Sequence, residues 1–369
     1  MTDDQSENSV FRILDAAINR AGEGLRVVED YLRMVIADAH LSRQLKLLRH
    51  DLTAAVANID SASRIAARDS EQDVGRTIQT DAEYERKSST ETAGSGIPSI
   101  ALVQANLARV QQSLRSIEEF SKTVDIDVAK QVEQLRYRAY TLEKAILTTV
   151  LSLRNLAEAR LCVLIEAVGF HEQGHQAVGD HSALIDLVTQ LVESQVSLIQ
   201  LRDKRLNDRQ LVSAGLAIAK VTRGTGTRFI MNDRADLALA SKADGVHLGQ
   251  TDLMVADARK IMGAARMIGV STHSIEQARQ AVLDGANYIG VGPVFPSATK
   301  TFSSPVGLSL VKQVADEILL PAFAIGGINL ENVESVMHAG LTRVAVSAAV
   351  AQASNPRNAA SALRERLRP

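Results

Sequence analysis

The chain has 369 residues, 46% of them hydrophobic and 23% charged, which is the composition of a globular protein long enough for two domains. A formal net charge of −2 gives no general attraction to nucleic acid or to an anionic membrane surface, so we expect neither as a partner. No hydrophobic run approaches the roughly 20 residues of a membrane-spanning helix, the polar N-terminus does not predict a secretory signal, and one cysteine, Cys162, suits a reducing cytoplasm.

Residues 10–155 have helical periodicity and predict an all-α domain over residues 1–155, a bundle of roughly four to six helices. The first hydrophobic stripe joins Leu25, Val28, Leu32 and Val35, which share one helix face. The small and polar segment 88–98 predicts a loop before the next long helix. Three further stripes follow: Leu45, Leu48, Leu52 and Val56; Ile100, Val103, Leu107, Val110 and Leu114; and Leu135, Leu142 and Ile146.

Charged residues lie beside these stripes in the segments 20–30, 48–52 and 68–75. Interior helix faces rarely carry so many charges unless the charges are paired. Two interpretations stay open: a set of Arg–Glu ion pairs within the bundle, or a catalytic site. The sequence has no G-x-x-x-x-G-K-[ST] loop and no G-x-G-x-x-G motif, so no motif marks an ATP site.

From residue 161 onward short hydrophobic runs alternate with helical stretches, which predicts parallel βαβ units. The segment 152–160 is expected to continue a helix and to join the two domains. The helical stretches include 182–194, 210–222, 275–284 and 330–339. The strand candidates are 162–165, 197–201, 228–231, 245–248, 267–270, 288–291, 322–324 and 343–346. Eight candidates favour a (β/α)8 TIM barrel over residues 161–369, with a doubly wound open sheet as the alternative.

In such a barrel the active site lies at the carboxyl ends of the strands. Gln200, Arg202 and Lys204 follow the second strand candidate, and alternation places all three on one side. Two cations and an amide suit a phosphate-bearing substrate. A surface cluster of ion pairs is the alternative for these residues alone.

Two aspartates follow neighbouring strand candidates. Asp233 comes after the third and Asp252 after the fourth. Magnesium takes few protein oxygens and completes its coordination with phosphate and water, so this pair beside a diphosphate predicts a Mg2+ site. Each aspartate alone could instead cap the helix that follows it.

The later strand ends carry hydroxyl groups, a lysine and glycines. Ser271 follows the fifth candidate, and a Gly/Pro loop with further polar side chains follows the sixth. After the seventh and eighth the backbone resembles the phosphate grip of many barrels, in which N–H groups hold a phosphate. The residues concerned are Ser297, Thr299 and Lys300 in the loop, Gly327 after the seventh candidate and Ser347 after the eighth.

Five ordered strings carry a specific resemblance: QLRDK, MNDRADLAL with ADGVHLGQTDL, IGVSTH, GVGPVFPSATK and AIGGI. Residues 161–369 resemble the thiamine-phosphate synthase family. The resemblance implies a transferase of thiamine biosynthesis that joins a pyrimidine diphosphate to a thiazole phosphate. It assigns Gln200, Arg202, Lys204, Asn232, Ser271 and Lys300 to the pyrimidine diphosphate, Asp233 and Asp252 to magnesium, and Ser297, Thr299, Gly327 and Ser347 to the thiazole phosphate. Ser271, Lys300 and Arg202 would be the catalytic residues.

Residues 1–155 resemble a helical domain that is fused to such synthases and proposed to phosphorylate hydroxymethylpyrimidine phosphate. Two alternatives stay open: a thiazole tautomerase-like barrel that joins nothing, and a non-catalytic regulatory helical domain. The presence of both the cationic residues and the aspartate pair argues against the tautomerase.

A competing motif lies at 171–175, where His171, Glu172 and His175 match H-E-x-x-H, with His181 downstream. Zinc proteases need this motif on a helix, so that both histidines share one face. Gly174 interrupts the motif, and the segment follows the first strand candidate, so we expect a βα loop rather than a metalloprotease site. His247 and His273 are likewise expected to be hydrogen-bonded residues at strand ends.

Overall fold

The hydrophobic stripes of the N-terminal half lie on long helices in the computed structural model, which describes residues 3–69, 100–167, 181–296 and 305–368. The chain divides into two units, Met1–Leu147 and Thr148–Pro369. The helices of the first unit are Asp3–Asp30, Ala39–Ala55, Ser61–Ala66, Ile100–Ser121 and the first part of Ile126–Asn155, and a π-helix spans Tyr31–Ile36. The predicted loop at 88–98 lies outside the described residues.

Local chemistry fixes where these helices begin. Asp38 accepts a hydrogen bond from the Leu41 amide at 2.7 Å, and Asp60 accepts from the amides of Ala62 and Ser63. Such caps satisfy amide groups that have no partner inside the helix. Aspartates at the N-cap positions therefore encode where these two helices begin.

The first predicted stripe is wrong at its last member. Leu25, Val28 and Leu32 are buried, but Val35 is 38% exposed. Val35 lies in the π-helix Tyr31–Ile36, whose turns are wider than those of an α-helix. The wider turn rotates Val35 off the buried face, and α-helical spacing could not anticipate this.

The second unit is a closed barrel of eight parallel strands in sequential order, which confirms the predicted fold class. The strands are β1 (Leu161–Ile165), β2 (Leu198–Leu201), β3 (Arg228–Asn232), β4 (Gly245–Leu248), β5 (Met267–Thr272), β6 (Tyr288–Val291), β7 (Ala322–Ile325) and β8 (Val344–Val346). The helices around it are Ser182–Glu193, Asp208–Thr222, Ala235–Ala240, Val255–Met262, Ile275–Asp284, Gly307–Glu317, Val333–His338, Ala348–Ala351 and Pro356–Arg366.

A hydrophobic layer fills the barrel near the amino ends of its strands. The end of the helix Ile126–Asn155 leads into this layer, because Leu156 and Ala159 are buried there with strand residues. The strand members are Cys162, Leu198, Ile230, Tyr288, Phe323 and Ala345. Asn287 also donates a hydrogen bond to the Ser152 hydroxyl at 3.2 Å. The segment 152–159 is thus structurally part of the barrel unit.

One glycine makes room for the largest polar member of this layer. The β5–β6 register pairs Gly269 with Tyr288. A Cβ atom on Gly269 would lie 2.1 Å from the Tyr288 ring, so any other residue at this position would displace the ring.

Among the described residues, no helix is both long and apolar enough to cross a membrane.

Candidate functional site

The barrel interior becomes polar one layer above the hydrophobic floor. Gln200 and Asn232 lie two residues after Leu198 and Ile230, and their side chains point to the same inward-facing side. The Gln200 amide donates to the Asn232 amide oxygen at 3.0 Å, and Gln200 is only 4% exposed. A buried and a half-buried amide at the carboxyl ends of neighbouring strands offer directed donors and acceptors to a substrate.

The two predicted metal-binding aspartates lie together. Asp233 follows β3 with a φ of 61°, a left-handed conformation that is uncommon for residues other than glycine, and its amide donates to the His247 carbonyl at 2.7 Å. Burial raises the pKa of Asp233, and its hydrogen bond and repulsion with Asp252 raise the pKa further. The Lys204 ammonium, 3.5 Å from the Asp233 carboxylate, lowers it. The negative charge of the two carboxylates exceeds the positive charge of the one nearby ammonium.

A tight turn holds the second carboxylate. The Gly249 amide donates to the Asp252 carboxylate at 2.6 Å. A Cβ atom on Gly249 would lie 2.9 Å from the same oxygen, so glycine permits this approach. Among the residues that the structure describes, no group of three or more His, Cys, Asp or Glu side chains is placed to hold a metal ion. A metal at Asp233 and Asp252 would therefore take its other ligands from substrate and water.

Ser271 ends a chain of three hydrogen-bonded side chains that sequence analysis did not identify. The His247 Nε2 atom is 2.9 Å from the Ser271 hydroxyl, and its Nδ1 atom is 3.2 Å from the Tyr288 hydroxyl. Burial raises the pKa of Tyr288 well above its ordinary value, so its hydroxyl stays protonated. As expected, His247 is a hydrogen-bonded residue, and His273 contacts the Gly292 carbonyl oxygen at 2.5 Å.

The pairing of the strands indicates that these three side chains can be hydrogen-bonded to one another. The register places His247, Gly269 and Tyr288 opposite one another on β4, β5 and β6. A glycine flanked by two large polar residues indicates that their side chains meet above it. The register itself, however, follows from the closed barrel and not from local sequence.

Arg202 and Asp203 follow β2 but do different work. Arg202 is half-buried, its amide donates to the Ile165 carbonyl at 2.9 Å, and its guanidinium forms no ion pair with the described residues. Asp203 is 5% exposed and accepts a hydrogen bond from the Ala167 amide at 3.1 Å. Successive side chains point to opposite sides, so Arg202 can face a substrate while Asp203 holds the loop in place.

The ends of β7 and β8 carry the expected glycines and serine. Gly326 and Gly327 have φ values of 105° and 63°, and a Cβ atom on Gly327 would lie 2.3 Å from the Pro296 carbonyl oxygen. The β7 end therefore packs against the loop that leads to Ser297. Ser347 lies at the start of the short helix after β8, and its hydroxyl donates to the Leu164 carbonyl at 3.1 Å.

Several predicted residues lie outside the described part of the chain. Ser297, Thr299 and Lys300 are among them, as is the whole H-E-x-x-H motif. His181, downstream of that motif, contacts the Ser213 hydroxyl at 2.8 Å.

The charged segments of the helical unit form ion pairs. Buried Glu29 accepts from Arg49 at 3.0 Å, and buried Asp15 accepts two hydrogen bonds from Arg68 at 2.8 and 3.0 Å. Ion pairs therefore hold some of the charged residues of these segments, and the two interpretations do not exclude each other.

Two family models match the chain. The thiamine monophosphate synthase model matches residues 174–350, and the ThiD2 family model matches residues 12–145. The first match lies in the barrel unit and the second in the helical unit.

Two relatives match this chain over nearly its whole length. A thiamine-phosphate synthase of Rhodopirellula baltica is 40% identical over 100% of this chain and 95% of its own length. One of Gloeobacter violaceus is also 40% identical, over 98% of both chains. Among solved structures, thiamine phosphate pyrophosphorylase from Pyrococcus furiosus matches with 31% identity and a TM-score of 0.50, covering 58% of this chain and 97% of that one.

Proposed function

The chain belongs to the thiamine-phosphate synthase family, and from this premise we propose how its barrel makes thiamine phosphate and what its helical unit adds. The enzyme is a transferase of thiamine biosynthesis. The observation that carries the assignment of the site is the facing pair Asp233 and Asp252, with Lys204 beside it at the carboxyl ends of the strands. The substrates are a hydroxymethylpyrimidine diphosphate and a hydroxyethylthiazole phosphate.

The pyrimidine diphosphate would bind over β2, β3 and β5. The polar layer of Gln200 and Asn232 suits the hydrogen-bonding edge of an aminopyrimidine. Arg202 and Lys204 suit the diphosphate, because a guanidinium fork and a mobile ammonium stabilise phosphate oxygens. Lys300 is assigned to the same subsite by family resemblance.

The donor set fits magnesium. Two carboxylates that repel each other suit a divalent cation, and oxygen ligands are those that magnesium prefers. Asp233 and Asp252 would hold it. Bound there, Mg2+ would offset the negative charge that develops on the departing pyrophosphate. Lys204 would then move its ammonium from Asp233 to the diphosphate.

The Tyr288–His247–Ser271 chain would fix the direction of the Ser271 proton. If the protonated Tyr288 hydroxyl donates to Nδ1 of His247, the neutral imidazole carries its proton on Nε2. Nε2–H then donates to the Ser271 oxygen. The Ser271 hydroxyl hydrogen remains available for the bridging oxygen of the diphosphate, where charge develops as the bond breaks.

The reaction breaks the bond between the pyrimidine methylene carbon and the diphosphate oxygen. The electron pair leaves with pyrophosphate, and the thiazole nitrogen donates its lone pair to the carbon to form the new C–N bond. Arg202, Lys300 and Ser271 would act by stabilising the leaving group, since the reaction needs no proton from the carbon. Positioning of the two substrates supplies the rest.

The thiazole phosphate would bind at the ends of β6, β7 and β8. Gly327 lets the backbone approach an anion closely, and it packs beside the loop that leads to Ser297 and Thr299. Ser347 would contribute at the start of the following helix. Its hydroxyl hydrogen is directed at Leu164, so we assign phosphate binding to its backbone N–H.

The helical unit would supply the diphosphate by phosphorylating the pyrimidine monophosphate. The match of residues 12–145 to the ThiD2 family supports this role. A non-catalytic regulatory role is the alternative, and an assay with and without ATP separates the two.

We place the protein in the cytoplasm. The sequence has one cysteine, Cys162, and therefore no internal disulfide, which suits a reducing compartment. Its substrates are small phosphorylated molecules, and we propose no nucleic acid or membrane partner.

The division into two subsites predicts a selective effect of Arg202→Gln. The KM for the pyrimidine diphosphate should rise roughly 10- to 100-fold, because a charged hydrogen bond to phosphate is lost. The KM for the thiazole phosphate should change little. The matched control is Arg223→Gln, an arginine just after the helix Asp208–Thr222, near the amino end of β3. A rise confined to the thiazole phosphate KM would show that the subsites are assigned the wrong way round.

A further inference from the structure

The helical unit contains a cavity of about 520 Å³, within the size range of small-molecule sites. It lies between the helices Asp3–Asp30, Ala39–Ala55 and Ser61–Ala66. Leu52 and Val56 give it an apolar wall, and Arg49 and Arg64 line it with positive charge. An apolar wall with two guanidiniums suits a ligand that is part ring and part anion.

Buried carboxylates behind the cavity hold these arginines. Glu29 is 3% exposed and faces two guanidiniums, Arg49 at 3.0 Å and Arg26 at 3.8 Å. Burying a carboxylate is costly unless it is paired, so Glu29 fixes the position of Arg49. Arg49 is thereby preorganised toward the cavity that it lines.

Asp15 repeats the arrangement on the other side. It is 6% exposed, binds Arg68 through two hydrogen bonds and lies 4.0 Å from Arg64. Four arginines therefore surround two buried carboxylates, and the cavity lining adds one further acid, Glu23. The balance of charge at the cavity is positive.

Arg64 has a donor that the protein does not satisfy. Its Nε atom is buried and has no hydrogen-bond partner among the described residues. A buried donor without an acceptor costs free energy and marks a place where an anion can bind. Arg64 is also one of the residues that line the cavity.

Two glycines of the helix Asp3–Asp30 have different surroundings. Gly24 has a packing reason, because a Cβ atom there would lie 2.8 Å from the Val110 side chain. Gly22 lines the cavity, and a Cβ atom there would meet nothing within 4 Å. Glycine destabilises a helix interior, so packing does not account for Gly22. The space beside Gly22 is open and belongs to the cavity.

We propose that this cavity binds the phosphorylated aminopyrimidine on which the helical unit acts. The guanidiniums of Arg49 and Arg64 hold its phosphate, and the wall of Leu52 and Val56 holds its ring. This inference rests on the proposed function of the helical unit. The phosphate groups of ATP share the same chemistry, so the experiment includes both ligands.

The test measures ligand binding to the full chain by titration calorimetry, with hydroxymethylpyrimidine phosphate and with a non-hydrolysable ATP analogue as separate probes. The variants are Arg64→Gln, which removes the charge, and Gly22→Leu, which fills the space. Arg138→Gln is the matched control, because Arg138 forms an exposed ion pair with Asp51 at 2.6 Å and does not line the cavity. Thermal unfolding checks folding, and Gly22→Leu should not lower the melting temperature because leucine favours helix.

We expect Arg64→Gln and Gly22→Leu to weaken pyrimidine phosphate binding roughly 10- to 100-fold. Arg138→Gln should bind as wild type, and all three should couple supplied pyrimidine diphosphate at the wild-type rate. Unchanged pyrimidine phosphate binding in both folded variants would overturn the site. Loss of binding for the ATP analogue alone would overturn the proposed occupant.

The kinase assay separates this inference from the function on which it rests. If the wild-type chain phosphorylates the pyrimidine and folded Gly22→Leu does so equally well, the kinase stands and the cavity assignment is wrong. If binding depends on Gly22 and Arg64 but no phosphorylation occurs, the site stands and the kinase is wrong.

Discussion

Replacing Asp233 or Asp252 by asparagine should lower kcat/KM for thiamine phosphate formation by at least about 100-fold. Each change removes half of the carboxylate pair that would hold magnesium, and metal stabilisation of developing charge contributes several kcal/mol, or about a factor of ten for every 1.4 kcal/mol. The free energy of unfolding should change little. Asparagine tolerates the left-handed backbone of Asp233, whose φ is 61°, and it removes the repulsion between the two carboxylates.

The measurement is steady-state turnover over a range of magnesium concentrations. Asp236→Asn is the matched control, since Asp236 lies on the next helix and pairs with Arg234 at 2.7 Å. It should retain wild-type turnover. Wild-type turnover of Asp233→Asn or Asp252→Asn at limiting magnesium would rule out the metal assignment.

Separating the two units should divide the two activities completely. The fragment Thr148–Pro369 contains the whole barrel and every residue assigned to the synthase site, so it should couple supplied pyrimidine diphosphate at the rate of the full chain. It should not use the pyrimidine monophosphate, with or without ATP. The fragment Met1–Leu147 should carry the ATP-dependent phosphorylation. A soluble and folded Thr148–Pro369 fragment that cannot couple would show that the helical unit completes the synthase site.

A second fragment that begins at Ala159 is the sharper structural test. It lacks Leu156, which is 3% exposed in the barrel floor, and Ser152, which accepts a hydrogen bond from Asn287. Loss of a buried leucine side chain costs roughly 2–5 kcal/mol, so urea should unfold this fragment at a lower concentration than Thr148–Pro369. Equal midpoints would mean that residues 152–156 contribute nothing to the barrel.

Much of the barrel could be predicted from the sequence, because each buried strand of a parallel barrel is a short hydrophobic run between polar ends. The strands β4 and β6 match their predicted bounds, but β5 extends two residues beyond its candidate. Ser271 and Thr272 are polar, yet they continue the ladder to β6. Hydrophobicity marks the buried part of a strand, not the end of its hydrogen bonding.

The features that sequence analysis missed depend on contacts between distant residues. The bonds that His247 makes to Ser271 and Tyr288 cross three strands, and only the barrel register brings them together. The cavity between Arg49 and Arg64 likewise exists because separate helices meet around it. The π-helix Tyr31–Ile36 is a local feature, but no residue in it departs from ordinary helical composition.

The most direct test of the central claim is the product stoichiometry of the purified full chain. Pyrimidine diphosphate, thiazole phosphate and magnesium are mixed with the protein, and thiamine phosphate and pyrophosphate are quantified over time. If the carboxyl ends of the barrel strands bind both substrates and join them, the two products form in equal amounts, and omission of either substrate abolishes both. Release of pyrophosphate without thiamine phosphate, or an altered thiazole phosphate that is joined to nothing, would contradict this account of the site.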